Sequence, residues 1–144
     1  MVNVVTEVII ERPVNEVAEY VANPDNAPSW YKNIKSVKWE SPHPLKLGSK
    51  ITFVAHFLGK VLEYTYLVSE YRPGEKLIMQ TEQGPFPMQT TYTWIGIDRG
   101  KTKMVLRNTG SPSGFSKLIS PFVSLMMRRA NNHDLKKLKM ILEH

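Results

Sequence analysis

The sequence predicts an α+β fold: an antiparallel, curved sheet of about six or seven strands around one long C-terminal helix, with two short helices after the first strand. Three observations carry this. Residues 113–142 place apolar side chains at the helical period of 3.6 residues. Residues 48–108 form a train of alternating segments parted by turn residues. The helical patterns stand apart from that train instead of alternating with each strand, which separates α+β from α/β architecture.

Residues 3–11 (NVVTEVIIE) are rich in Val, Ile and Thr and partly alternating, as strands are. Pro13 suits a first helical position, and Val14, Val17, Ala18 and Val21 make one apolar helix face. Asn23-Pro24 stops that helix. Residues 24–31 (PDNAPSWY) predict a second short helix packed by Trp30 and Tyr31. Strand returns over residues 34–40, and Pro42-His43-Pro44 breaks it.

Residues 50–58 alternate Ile51, Phe53, Ala55 and Phe57 against Thr52, Val54 and His56. Gly59-Lys60 is a tight connection. Residues 61–71 set Leu62, Tyr64, Tyr66 and Val68 opposite Glu63, Thr65 and Ser69. Arg72-Pro73-Gly74-Glu75 is a turn, residues 76–82 are a strand of undecided inward face, and Gly84-Pro85-Phe86-Pro87 is a break. Residues 88–97 put Met88, Thr90, Tyr92 and Trp94 on one face; Asp98-Arg99-Gly100-Lys101 turns the chain. Residues 102–108 then show Met104 and Leu106 on one face.

The final helix has Ser113 as a cap, apolar residues from Phe115 through Phe122 and Met126 to Ala130, and a kink or restart at Ser120-Pro121. Its second half is basic, with a narrower stripe through Leu135, Leu138 and Ile141. A helix of that length spans about 45 Å. Its front half is apolar on too many sides for a surface helix, so the hollow of the sheet must cover it.

Composition narrows the function classes. At 144 residues one domain, residues 1–144, is expected. There is no cysteine, which removes disulfides, thiolate metal sites and a Cys nucleophile, and suits a cytoplasmic protein. No apolar run is long enough for a membrane span, and no signal-peptide pattern opens the chain. Leu142-Glu143-His144 reads as a segment that a purification tag could contribute. The net charge of +6 comes from scattered cations. Arg128, Arg129, Lys136, Lys137 and Lys139 form the nearest thing to a cluster, expected to be a solvated helix face. Nucleic acid is not an expected partner, because the aromatic residues are not interleaved with Lys and Arg on one surface.

With these motifs in order, the sequence resembles the helix-grip superfamily of START-like, Bet v 1-like and polyketide cyclase/dehydrase-like (SRPBCC) proteins. The resemblance runs across nearly the whole chain. It is carried by Arg12-Pro13-Val14-Asn15-Glu16-Val17, by Asn23-Pro24-Asp25 leading to Trp30, by residues 70–77 (EYRPGEKL) and by residues 131–139 (NNHDLKKLK). It implies a sheet gripping the C-terminal helix and an internal cavity for a hydrophobic small molecule. The superfamily uses that cavity for lipids, sterols, hormones and polyketides, with no cofactor implied; some members are enzymes and many only bind.

The expected ligand-binding residues follow. Strands contribute Phe53, Phe57, Tyr64, Tyr66, Met88, Tyr92, Trp94 and Leu106, with Met79 and Met104 also facing in. The helix contributes Phe115, Phe122 and Met126, and Trp30 with Tyr31 stands near the opening. Rings, a few hydroxyls and adaptable methionines suit a greasy guest. Binding of a lipid-like or polyketide-like molecule is therefore the expected function. A cyclase or dehydratase using the same cavity is the alternative, with Glu70, Tyr64 and Tyr92 as catalytic candidates. A third reading is a dimerising or membrane-surface module using the helix edge Leu118, Phe122 and Leu125. His133 is expected to be packed or exposed, and the four histidines lack any metal-ligand spacing.

Overall fold

The computed structural model describes residues 2–57, 59–83, 87–110 and 120–144, and in residues 57, 120 and 121 the backbone only. Its elements are β1 (Val2–Ile10), α1 (Val14–Ala22), a 3-10 turn (Pro24–Asn26), α2 (Ala27–Trp30) and β2 (Ile34–Trp39). They continue as β3 (Lys50–Phe57), β4 (Lys60–Arg72), β5 (Lys76–Gln83), β6 (Met88–Asp98), β7 (Lys101–Gly110) and α3 (Ser120–Glu143). The expected Ser113 cap, Phe115, Leu118, the side chain of Phe57 and the break at 84–86 lie outside the described residues.

The strands form one antiparallel sheet of seven in the order β1-β7-β6-β5-β4-β3-β2, so the first strand closes against the last. Hairpins join β3 to β7 in sequence, and left-handed Gly59 and Gly74, at φ 75° and 80°, make two of those turns without a Cβ penalty. Pro13 caps α1 from outside instead of opening it, a one-residue shift from expectation. In β5, Leu77 and Met79 turn inward, which decides the face the alternation left open.

The main core gathers Ile10, Val17, Trp94, Met104, Leu106 and Leu138 between α1, the β6–β7 end of the sheet and the back half of α3. The pairing Trp94↔Met104 and Tyr92↔Leu106 places these side chains on one surface. Trp94 and Leu106 therefore fill core and do not border the hollow, contrary to expectation. Alternation assigns a face but not which end of that face the short helices cover.

The inward stripe of α3 is Val123, Asn131, Asp134, Leu135 and Leu138, all buried. Phe122 is 58% exposed and Leu125 is exposed too, so the expected inward Phe122 is a correction. The front half is apolar on nearly every side and its periodicity cannot select a face. The basic residues of α3 do more than face water. Arg128 Nη1 donates to the Val5 carbonyl at 3.1 Å and Lys139 Nζ to the Ile9 carbonyl at 2.8 Å. Val5 and Ile9 belong to β1, an edge strand whose unpaired carbonyls would otherwise invite pairing with another chain. At the end of α3, Leu142 packs on the core and Glu143 Oε2 accepts the Glu11 N–H at 2.8 Å, so this segment is tied into the fold.

Candidate functional site: a cavity between sheet and helix

A cavity of about 180 Å³ lies between the inner face of β3–β6, α2 and the front half of α3. Its strand wall follows the period of two: Phe53 and Ala55 from β3, Leu62, Tyr64 and Tyr66 from β4, then Leu77 and Met79 from β5. β6 adds Met88, Thr90 and Tyr92, and Asn108 on β7 stands across from Thr90. The helix wall is Val123, Met127, Ala130, Asn131 and Asp134. Trp30 and Tyr31 close the α2 end, their ring centroids 3.9 Å apart.

Of the residues expected from sequence, Trp30, Phe53, Tyr64, Tyr66, Met88 and Tyr92 are on this wall. Met126 is not; its neighbour Met127 takes that place, one residue round the helix, for the same reason that Phe122 turns out. Glu70 is removed as a candidate by its surroundings. A register shift between Val68 and Glu70 turns the end of β4, and the Glu70 carboxylate lies 3.6 Å from Lys76 and 3.7 Å from Arg72 at the surface. His133 is exposed, its Nδ1 3.6 Å from Asp134 Oδ1.

The wall carries a short polar arc that the sequence pattern missed. The Tyr31 and Tyr92 hydroxyls share a hydrogen bond of 2.5 Å. Two hydroxyl hydrogens and one shared bond leave the second hydrogen for another acceptor. The Thr90 hydroxyl donates to Asn108 Oδ1 at 2.8 Å. Asp134 accepts the Lys32 N–H at 3.0 Å, which ties the segment after α2 to the helix. Trp30 and Asn131 line the cavity, while Trp30 Nε1 and Asn131 Nδ2 themselves are enclosed by protein and have no partner among the described residues.

Burial dominates the titration of these groups. It pushes the Tyr66 phenol up to about 12, with the Thr90 hydroxyl pulling the other way. Burial also raises Tyr31, helped by Tyr92 beside it, and raises Tyr92, where the bond to Tyr31 opposes. All three are neutral donors at physiological pH. Asp134 is raised by burial, against the Lys32 N–H, His133 and Lys137, which favour its charge. Below the ordinary carboxylate pKa both folded and unfolded states hold the proton and no penalty exists. As pH rises past it the unfolded chain ionises first, so stability falls until the raised folded pKa is passed. An Asp134→Asn variant, which keeps an acceptor for Lys32, should lack this loss. Its thermal midpoint should exceed the parent's at neutral pH and converge with it in acid. Parallel curves at all pH values would mean that Asp134 is not desolvated.

Among the described residues no three His, Asp or Glu side chains converge as a metal site, and no helix is long and apolar enough to cross a membrane. No curated protein sequence matches this chain. Solved structures do. TTHA0849 from Thermus thermophilus is 18% identical with a TM-score of 0.82, covering 96% of this chain and 94% of its own. A START superfamily protein from Mycobacterium smegmatis is 13% identical with a TM-score of 0.82, over 98% and 97%. The Zhui aromatase/cyclase from Streptomyces sp. R1128 is 13% identical with a TM-score of 0.79, over 95% and 90%. At these identities the likeness is one of fold. The family model described as polyketide cyclase/dehydrase and lipid transport matches residues 1–143, and the chain belongs to that family.

Proposed function

We propose that this protein binds a hydrophobic small molecule in the cavity under α3. One observation carries the reading: a mainly apolar hollow of about 180 Å³ remains beside α3, while α1 and the back half of α3 cover the β6–β7 end of the sheet. An apolar cavity of about 150 Å³ is enough for a benzene-sized guest. The hollow as it stands therefore suits a single-ring or short-chain ligand, and a longer lipid or polyketide requires the walls to part. The adaptable Met79, Met88 and Met127 give those walls room to move. Calorimetric titration with ethylbenzene, together with native mass spectrometry of the purified protein, tests this. Saturable binding at one site is the expected result; no heat and no retained molecule would remove the proposal.

Catalysis is the second reading, favoured by Asp134. A buried carboxyl group with a raised pKa, on the same wall as the Tyr31–Tyr92 pair, fits proton transfer to or from a carbonyl compound, as cyclisation or dehydration needs. Turnover of a ketone substrate that disappears in Asp134→Asn while binding persists is the expected signature. Equal turnover in the variant would leave binding alone.

A further inference from the structure

We propose that the outward stripe of α3 docks the protein on an anionic lipid surface, with Phe122 and Leu125 entering the acyl boundary and Arg129 and Lys136 meeting the headgroups. The inference goes beyond ligand binding and holds whether or not the cavity has a guest. Phe122, Leu125, Arg129, His133, Lys136 and Met140 follow one another in steps of three or four, so they share one helix face. All six are exposed, and their face lies opposite the buried stripe of Val123, Asn131 and Leu138. It is apolar at both ends, where Phe122 and Leu125 stand at one and Met140, 63% exposed, at the other, and it is cationic between them. From Phe122 to Met140 a helix runs about 27 Å in a straight line. Anchors strung along such a line meet a plane, not a small molecule.

Charge selects the occupant. The one acidic residue between Phe122 and Leu142 is Asp134, which is buried. The Glu143 carboxylate that follows accepts from Lys139 and from the Glu11 N–H. Arg128 and Lys139 already hold carbonyls of β1, whereas Arg129 and Lys136 have no hydrogen-bond or ion-pair partner among the described residues. An anionic lipid surface supplies that counter-charge, and its acyl boundary takes in apolar side chains set among cations. A second copy supplies neither. Pairing this face with itself about a two-fold axis sets Arg129 and Lys136 of one copy among those of the other, with no exposed acid along the stripe to offset them.

Flotation of the full chain with vesicles tests this, comparing phosphatidylcholine alone with phosphatidylcholine containing about one-third phosphatidylserine. The expected result at about 0.1 M salt is at least about tenfold stronger partition to the anionic vesicles, lost near about 1 M, where the Debye length falls to about 3 Å. Each Lys or Arg at an anionic surface strengthens binding about fivefold, so Arg129→Gln with Lys136→Gln should weaken it at least about tenfold. Phe122→Gln with Leu125→Gln should weaken it as well, while both variants melt near the parent's temperature, as exposed helix positions allow. Lys35→Gln with Lys38→Gln removes the same charge from exposed positions of β2, at the other edge of the sheet, and should leave partition within about threefold of the parent's. A loss as large in the β2 variant would reduce the effect to the net charge of +6 and overturn the proposal. Equal partition to the two kinds of vesicle would overturn it too. Binding to neither would also overturn it and leave the cations to a soluble acidic partner or to water. A dimer in sedimentation that Phe122→Gln with Leu125→Gln dissociates would assign the face to a second copy instead.

Discussion

An Ala130→Phe variant is expected to stay folded and to lose its guest. Ala130 stands on the helix wall of the hollow, between Met127 and Asp134. A ring placed there enters space that no side chain among the described residues occupies. The strain of overpacking a tight core, about 1–3 kcal/mol, is therefore largely absent, and new apolar contacts offset what remains. Thermal melting should change by no more than a few degrees. Ethylbenzene affinity should drop at least about tenfold, since the cavity has little volume beyond one small ring to give up. A folded variant that binds as tightly as its parent would place the guest elsewhere on the protein. The reciprocal comparison is informative too: Ile95 and Ile97 on β6 are exposed and absent from the wall, and substitutions there should leave affinity untouched.

What the sequence made legible is uneven, and the unevenness has physical causes. Strands were readable because turn residues such as Arg72-Pro73-Gly74-Glu75 punctuate them and because one face of each meets the core. Alternation turned Phe53, Tyr64, Tyr66, Met88 and Tyr92 inward, and the family resemblance supplied the cavity whose wall they line. Trp94 and Leu106 obeyed the same alternation and still missed the cavity, since α1 and Leu138 cover their end of the sheet. That is a tertiary fact with no local signature. The polar arc escaped for the opposite reason. Asn131 and Asp134 lie in a basic, hydrophilic stretch that patterning assigns to water, yet Asn131, Asp134 and Leu138 share one helical stripe. Carrying the stripe of Leu135 and Leu138 backward in steps of three and four reaches Asn131, Met127 and Val123. The selective half of the helix thus decides the register of the unselective half.

That register leads to the second large effect. Leu138→Ala should destabilise the protein by about 2–5 kcal/mol, because Leu138 is 0% exposed in the main core and its removal leaves a void among ordered neighbours. Near this chain length each kcal/mol moves the melting point by roughly 2–4 °C, so a fall on the order of 10 °C is expected. Phe122→Ala removes a larger side chain and should cost within about 0.5 kcal/mol, as exposed positions do. The contrast between the two isolates the helix rotation, since both residues sit on one continuous helix. A Phe122→Ala penalty that matches Leu138→Ala in dilute protein would mean that α3 is rotated and the ring lies in the hollow. A penalty that grows with protein concentration would instead mark Phe122 and its exposed neighbour Leu125 as a contact between two copies of the chain, because a subunit interface stabilises by mass action and a buried core does not.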